Sequence, residues 1–282
     1  MLGIIGGTGL YQLEGLEVLK EHEVTTPYGN PSGTLLQARW GEQTFIFLPR
    51  HGKNHELLPH EVNYRANIWA LKSLGVTQLI GVSAVGSLRE ELAPGDFVIP
   101  SQYFDFVKGP REKTFFGGGL AAHVSTALPT CSLLSQTIRA RAEKLGLTMH
   151  TGKTYGCVDG PRLGSKAESH FLRDSANCDL VGMTNVPEVF LAREAQMCYC
   201  TIAVVTDYDC WRENPDEHVT VSDVIRRYGE SLHKVKGLLK EVLKAGFPAA
   251  NDSCRGSLKN ALMTREETLT EEKKELLNLL RE

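Results

Sequence analysis

Two carboxylates stand one residue apart in "VVTDYDCWRENPDEH", residues 204–218, where an apolar run gives way to a polar one. In an extended strand, side chains two apart share a face, so Asp207 and Asp209 converge on one object while Tyr208 turns away. A carboxyl group in a partly dry, aromatic setting has its pKa raised and can stay protonated near neutral pH, ready to act as a general acid. Three ligands suit such a pair: a metal ion, a glycosidic bond, or the edge of a base that offers adjacent donor and acceptor atoms. A metal usually wants more ligands close by, and two carboxyls on one strand sit too near each other to straddle a glycosidic bond. Recognition of a base fits best, with two solvated loop carboxylates as the plain alternative.

A second group of residues suits an oxyanion. "GIIGGTG", residues 3–9, follows the first apolar run, and a turn of this kind aims backbone N–H groups and the Thr8 hydroxyl at an anion. It matches neither G-x-G-x-x-G nor G-x-x-x-x-G-K-[ST], so a dinucleotide site is disfavoured. "LPRHG" puts Arg50 and His51 at the end of another apolar run; arginine grips phosphate with a planar fork, and histidine can donate a further bond. "GVSAVGS" ends in Ser83, Ala84, Gly86 and Ser87, small residues that allow close backbone approach, and "GMTNVPE" sets Met183 and Thr184 before a helix start marked by Pro187 and Glu188. These form one anion pocket if their strands are neighbours.

The elements that must position them read as alternating strands and helices. "LGIIGG", "QTFIFLPRHG", "QLIGVSAVGS", "GDFVIPSQYF", "CDLVGMTNVPE" and "YCTIAVVTDYD" are expected strands; "NYRANIWALKSLG", "SLLSQTIRARAEKLG", "VPEVFLAREAQ" and the long run from Val221 to Gly246 carry a 3.6-residue apolar period. That alternation predicts an α/β fold, one domain over residues 1–282, with a mostly parallel or mixed sheet covered by helices on both faces and ligands at the carboxyl ends of the strands. Residues 107–123 read as a long loop. Thr264 and Glu267 suggest a capping box opening a C-terminal helix at about 264–282, whose Leu269, Leu276, Leu277 and Leu280 would pack on the body or on another subunit.

Composition narrows the partners. Hydrophobic residues make up 41% and charged residues 23%, the net charge is −3, and no Lys/Arg block stands out, so no nucleic-acid partner is expected. The N-terminus lacks the pattern of a signal peptide and no apolar run reaches the roughly 20 residues that span a bilayer, so a cytoplasmic protein with no membrane partner is expected. Seven cysteines, an odd number scattered along the chain, argue against a disulfide framework, and "CYC" at 198–200 is too tight for ordinary zinc-knuckle spacing, so no metal is expected.

Taken in order along the chain, "GIIGGTG", "PRHG", "NYRANIWALK", "SAVGSLREE", "GPRLGSKAE", "GMTNVPE", "LARE" and "TDYDCW" resemble the S-methyl-5'-thioadenosine phosphorylases of the trimeric purine nucleoside phosphorylase family. The resemblance covers nearly the whole sequence. It implies a single α/β domain with a mixed central sheet flanked by helices, a homotrimer and phosphorolysis of a small-molecule nucleoside, with no cofactor beyond inorganic phosphate as co-substrate. Carried over by position, it implies a phosphate site at Thr8, Arg50, His51, Ser83, Ala84 and Thr184, a ribose contact at Met183, and purine anchors at Asp207, toward N7, and Asp209, toward the 6-amino group. His55, Val221 and Val224 fall at the 5'-methylthio pocket, and His123 would reach a neighbour's site. Asp207 and His51 are the expected catalytic groups.

Two departures bear on the base. Leu163 and Gly164 stand where these enzymes usually have phenylalanine and serine, and Ser83 replaces a threonine while keeping the hydroxyl. The 6-oxopurine members carry glutamate at the place of Gly164 and asparagine in place of the "TDYD" aspartate. This chain has neither, which favours 6-amino specificity. A 6-oxopurine or methylthioinosine phosphorylase and a nucleoside-binding protein without turnover are the competing readings.

Overall fold

Alternation of apolar side chains along the buried strands creates two cores. On the strand from Cys198 to Asp207, Cys198, Cys200, Ile202 and Val204 enter one hydrophobic cluster while Tyr199, Ala203 and Val205 enter the other. The same split divides Phe45 and Phe47 from Ile46 and Leu48 on the strand Gln43–Pro49. A strand apolar on both faces must be covered on both, which is why the sheet lies between two helical layers.

The computed structural model describes residues 1–7, 9–10, 16–213, 220–246 and 252–282. Nine strands are found among them: β1 (Leu2–Gly6), β2 (Glu17–His22), β3 (Leu35–Trp40), β4 (Gln43–Pro49), β5 (Gln78–Ser87), β6 (Phe97–Asp105), β7 (Met149–Cys157), β8 (Leu180–Gly182) and β9 (Cys198–Asp207). The helices are α1 (Tyr64–Ser73), α2 (Ser132–Lys144), α3 (Lys166–His170), α4 (Asn185–Glu194), α5 (Val221–Lys244), α6 (Asp252–Arg255) and α7 (Glu271–Arg281). Residues of α1, α4 and α7 fill one core, those of α2 and α5 the other.

The sheet is mixed, in the order β2-β3-β4-β1-β5-β8-β7-β6-β9, and β9 returns to pair with β5. β5 is long enough to be shared. Its first half lies between β1 and β9, both parallel to it, while its last residues, Gly86 and Ser87, pair antiparallel with β8. Strands β5, β8, β7, β6 and β9 therefore close into a ring.

Parallel register brings the site together. Gly6 lies opposite Pro49, Ile5 opposite Gly81, Ser83 opposite Ala203 and Gly86 opposite Asp207. The ends of β1, β4, β5 and β9 thus reach one edge of the sheet as neighbours, the condition on which a shared pocket depended. Thr206 is skipped in the β5–β9 register, a bulge of the kind that re-aims a strand end.

Helix ends follow their local chemistry. Asn63 caps α1 by accepting from the Ala66 N–H, and Gly75, at φ 80°, ends it. Thr220 and Asp223 form a capping box on α5. The expected box at Thr264 is displaced: Thr270 caps α7 by accepting from the Lys273 N–H, and the helix begins at Glu271, after a short 3-10 turn at Glu266–Thr268. The Thr264 hydroxyl accepts instead from the Ala121 N–H, tying residues 107–123 to this segment. Leu269, Leu276, Leu277 and Leu280 all join the chain's own core.

Close packing beneath the β8–α4 turn leaves no room for a side chain at Gly182. A Cβ there would collide with the Tyr155 hydroxyl and come within 2.5 Å of its ring carbon Cζ. Tyr155 is fully buried and cannot step aside. Gly182→Ala is expected to cost about 1–3 kcal/mol of stability by overpacking, read from urea denaturation; an unchanged midpoint would show that the turn relaxes freely.

Candidate active site

Asp207 ends β9 as a buried carboxylate. Its Oδ1 accepts from the Asp209 N–H at 2.8 Å and its Oδ2 lies 2.6 Å from the Thr206 hydroxyl. Burial pushes its pKa up to about 6, against the lowering effect of those two hydrogen bonds. The Thr206 hydroxyl also lies 3.2 Å from the Val85 carbonyl. One hydroxyl proton cannot serve both neighbours. The shorter contact has Thr206 donating to Asp207, which favours the ionised carboxyl, so burial and hydrogen bonding act in opposite directions and leave a group that can hold or release its proton near pH 6.

Asp209 reaches the same place by another route than strand alternation. β9 stops at Asp207, and Asp209 sits in a turn at φ 51°, its N–H closing back on the Asp207 carboxylate. This is an Asx-type turn, a side-chain mimic of a backbone turn. Gly86 makes room for both: a Cβ there would meet Asp207 Oδ1 at 2.9 Å and Asp209 Cβ at 3.3 Å. The indole N–H of Trp211 donates to the Ser87 carbonyl at 2.9 Å, pinning this turn to the end of β5. Across the turn, the Cys210 thiol donates to the Gly164 carbonyl, so half-buried Leu163 and exposed Gly164 flank the aspartates. Nothing lies within 4 Å of where a Gly164 side chain would begin.

Arg50 corrects a simpler expectation. Its guanidinium is fully buried, and the fork is filled by Glu188: Nε and Nη2 donate to the two carboxylate oxygens at 2.7 and 2.8 Å. Nη1 donates to the Val82 carbonyl at 2.7 Å, and Nη2 also faces the Ile5 carbonyl at 3.5 Å. Arg50 therefore ties α4 to β1 and β5 beneath the strand ends and has no bidentate face left for an anion. Tyr199 donates to Glu188 at 2.8 Å, and Asn185 donates to Tyr199 and to Thr201. The Ser83 hydroxyl donates to the Asn185 Oδ1 at 3.1 Å, joining β5 to α4. Thr184, at the N-cap of α4, does not spend its hydroxyl on capping. Ala84 beside Ser83 is half-buried.

His51 follows Arg50 and is half-buried, with Nδ1 2.8 Å from the Leu57 carbonyl. A carbonyl can only accept, so Nδ1 carries the proton. Burial, reinforced by the Arg50 charge, depresses the pKa to about 4, so the ring is neutral near pH 7 and Nε2 is an acceptor. This reverses the donor role expected from the sequence. His55, exposed and at φ 58°, stacks on His51 with ring centroids 4.5 Å apart.

The loop at 107–123 contributes a residue that sequence reading missed. Arg111 donates to the carbonyls of Met183, Val186 and Asp159, each at 2.8 Å, and so clamps the β8–α4 turn to the segment leading to Leu163. Its place in a Gly- and Pro-rich loop gave no local sign of this. Glu188 was legible only as a helix-start residue, because its partner lies 138 positions away.

α5 covers one side of the edge. Arg227 donates to the Thr206 carbonyl, and Tyr228 lies next to Gly7. Val221, exposed, and Val224, half-buried, stand a turn or two earlier at the rim. Thr8 lies outside the described residues. His123 is not brought to this cluster: it is exposed, and its N–H donates to the Ala261 carbonyl.

The Arg50–Glu188 pair yields a test. Glu188→Gln leaves a buried guanidinium facing a neutral amide, and about 3–5 kcal/mol of stability is expected to be lost. Urea denaturation measures it; a loss under about 1 kcal/mol would mean that water or another carboxylate compensates.

The chain resembles known proteins along nearly its whole length. Residues 1–244 match the family described as the phosphorylase superfamily. An S-methyl-5'-thioadenosine phosphorylase of Geobacter sulfurreducens is 44% identical over 280 residues, covering 99% of this chain and 97% of its own. The protein of the same name from Hyperthermus butylicus is 49% identical over 265 residues, covering 93% and 95%. A solved methylthioadenosine phosphorylase from an antarctic soil metagenomic library superposes with a TM-score of 0.91 at 40% identity, covering 99% of this chain and 98% of that one. A variant of the Schistosoma mansoni adenosine/methylthioadenosine phosphorylase, solved with methylthioadenosine bound, gives 0.85 at 35% identity, covering 95% and 99%.

Proposed function

Because the chain belongs to the phosphorylase superfamily, we propose that it cleaves S-methyl-5'-thioadenosine with phosphate to give adenine and 5-methylthioribose 1-phosphate. The observation that carries this reading is the buried Asp207–Asp209 pair, one carboxyl inclined to hold its proton, at the edge where β1, β4, β5 and β9 end. The relatives named for this reaction support it. The chain is a pentosyl-transferring enzyme of the methionine and purine salvage type.

In the proposed mechanism, Asp209 accepts from the 6-amino group and protonated Asp207 donates to N7. A phosphate oxygen attacks C1' as the C1'–N9 bond breaks, and its charge stabilises the cationic ribosyl transition state. The electron pair of the broken bond passes into the purine, and the Asp207 proton moves to N7, so that neutral adenine leaves. The phosphate began with one hydrogen and ends as an ester dianion, so the proton count closes once Asp207 is reprotonated. A purine with oxygen at C6 would face Asp209 with two acceptors, which disfavours it.

Phosphate is assigned to Thr8, to the small residues Ser83 and Ala84, to Thr184 at the start of α4, and to His51. Neutral His51 with Nε2 as acceptor suits a phosphate hydroxyl, leaving the anionic oxygens for C1'. Arg50 acts at this site by fixing the strand ends and by its charge, since Glu188 fills its fork. Met183 is assigned to the ribose, with Arg111 fixing its carbonyl. Leu163 and Gly164 border the base, and His55, Val221 and Val224 the methylthio group. His123 serves a neighbouring subunit in a homotrimer, consistent with its exposure and its separation from its own chain's cluster.

Inorganic phosphate is a co-substrate, and the chemistry as described calls on no other cofactor. The whole chain acts as one domain, since α7 packs into the same core as β5 and α4. Among the described residues no helix is long and apolar enough to cross a membrane. The cytoplasm is the proposed location.

Release of free base from methylthioadenosine, methylthioinosine, adenosine and inosine, with and without phosphate, tests the reading. Phosphate-dependent adenine release from methylthioadenosine should dominate; a preference for methylthioinosine would overturn the base assignment, and no phosphorolysis of any substrate would point to a binding protein. With a pKa of about 6 in the free enzyme, Asp207 loses its proton as pH rises, so kcat/KM should fall on the alkaline side. Asp207→Asn should lower kcat by about 10² to 10⁴ and abolish that alkaline limb; a limb that survives the substitution belongs to another group.

A further inference from the structure

At the end of the sheet opposite the candidate active site, three cysteines from separate elements meet. Cys198 opens β9, Cys131 stands at the N-cap of α2, and Cys254 lies on α6. All three are buried, and their Sγ atoms lie within 4.8 Å of one another. Their sequence spacing concealed this, since 131, 198 and 254 form no ligand motif. We propose that these three sulfurs form a binding site for a soft monovalent cation of the copper(I) class, held in trigonal coordination by Cys131, Cys198 and Cys254.

Geometry, donor chemistry and charge each support the assignment. Three sulfurs about 2.3 Å from a shared ion lie about 4 Å apart, so these thiols need to close by less than about 1 Å. Among the described residues the group offers sulfur alone, with no imidazole or carboxylate donor. Thiolate-only sites select soft ions, whereas structural zinc takes four ligands. The trio sits in an apolar core with Ile138, Leu134 and Val242, a setting that excludes the water a hard ion would retain.

An anionic metal–thiolate group in such a core needs compensation, and two sources are present. Cys131 stands at the N-cap of α2, where the positive end of the helix dipole faces the trio. Arg193 acts on Cys254. Entry is open as well, because Cys254 lines a surface depression of about 360 Å³ bounded by Pro100, Ser132, Arg139 and Gly152. Coordination would displace the thiol protons, so uptake strengthens as pH rises.

The test uses the full-length, fully reduced protein without oxygen, titrated with copper(I) from a bicinchoninate buffer. One copper(I) per chain is expected, with X-ray absorption showing three sulfur neighbours. Cys254→Ser should weaken uptake by about a hundredfold, one ligand's share of the binding free energy, while Cys178→Ser, altered in a different cluster, should bind as wild type does. If Cys254→Ser does not fold, the sulfur count in the wild type decides alone. No uptake, a sulfur count below three, equal affinity in Cys254→Ser, or oxygen or nitrogen ligands at the metal would each overturn the assignment. So would a disulfide within the trio accompanied by no copper uptake after reduction.

Discussion

The buried ion pair between Arg50 and Glu188 is the constraint on which the arrangement of the strand ends depends. Each of its charges would be costly alone in the core, and each is acceptable because the other, with two backbone carbonyls and the Tyr199 hydroxyl, meets its hydrogen-bonding capacity. That requirement fixes where α4 begins relative to β1, β4, β5 and β9. Ser83 and Asn185 extend the same network, and Arg111 closes it from outside through the β8–α4 turn. A site distributed over five segments is thereby given one geometry.

Burial does a second service by suppressing charge. Asp207 and His51 are an acid and a base, yet the same cause, removal from water, favours the neutral form of both. The Asp207 carboxyl is half protonated near pH 6, whereas the His51 imidazole, its Nδ1 proton committed to the Leu57 carbonyl, is neutral and presents a lone pair at Nε2.

Much of this was legible in the sequence, and the limits have physical causes. The strands β1, β4, β5, β6, β8 and β9 announce themselves because they are buried apolar runs. β2 is nearly all exposed and carries Glu17, Lys20 and Glu21, while β7 mixes glycine, lysine and histidine, so neither shows a clear apolar signal. The "TDYD" motif was read as a pair aligned by strand alternation, whereas a turn brings Asp209 back beside Asp207. Local spacing cannot report partners separated by a hundred residues. That is why the occupant of the Arg50 fork, the reach of Arg111 and the meeting of three distant cysteines emerged only with the fold.

The ring formed by β5, β8, β7, β6 and β9 also governs how copies of this chain can avoid one another. A strand paired on both sides offers fewer idle backbone groups, and closure gives each of the five ring strands a neighbour on either side. At the other extreme β2 is left as a border, where Val18 and Leu19 are exposed and Glu17, Lys20 and Glu21 flank them with charge, Glu17 being bound by Arg39 of β3. The fold thus leaves one six-residue strand open to runaway β-stacking, and the charges on either side of its apolar pair make it a poor template for a foreign strand.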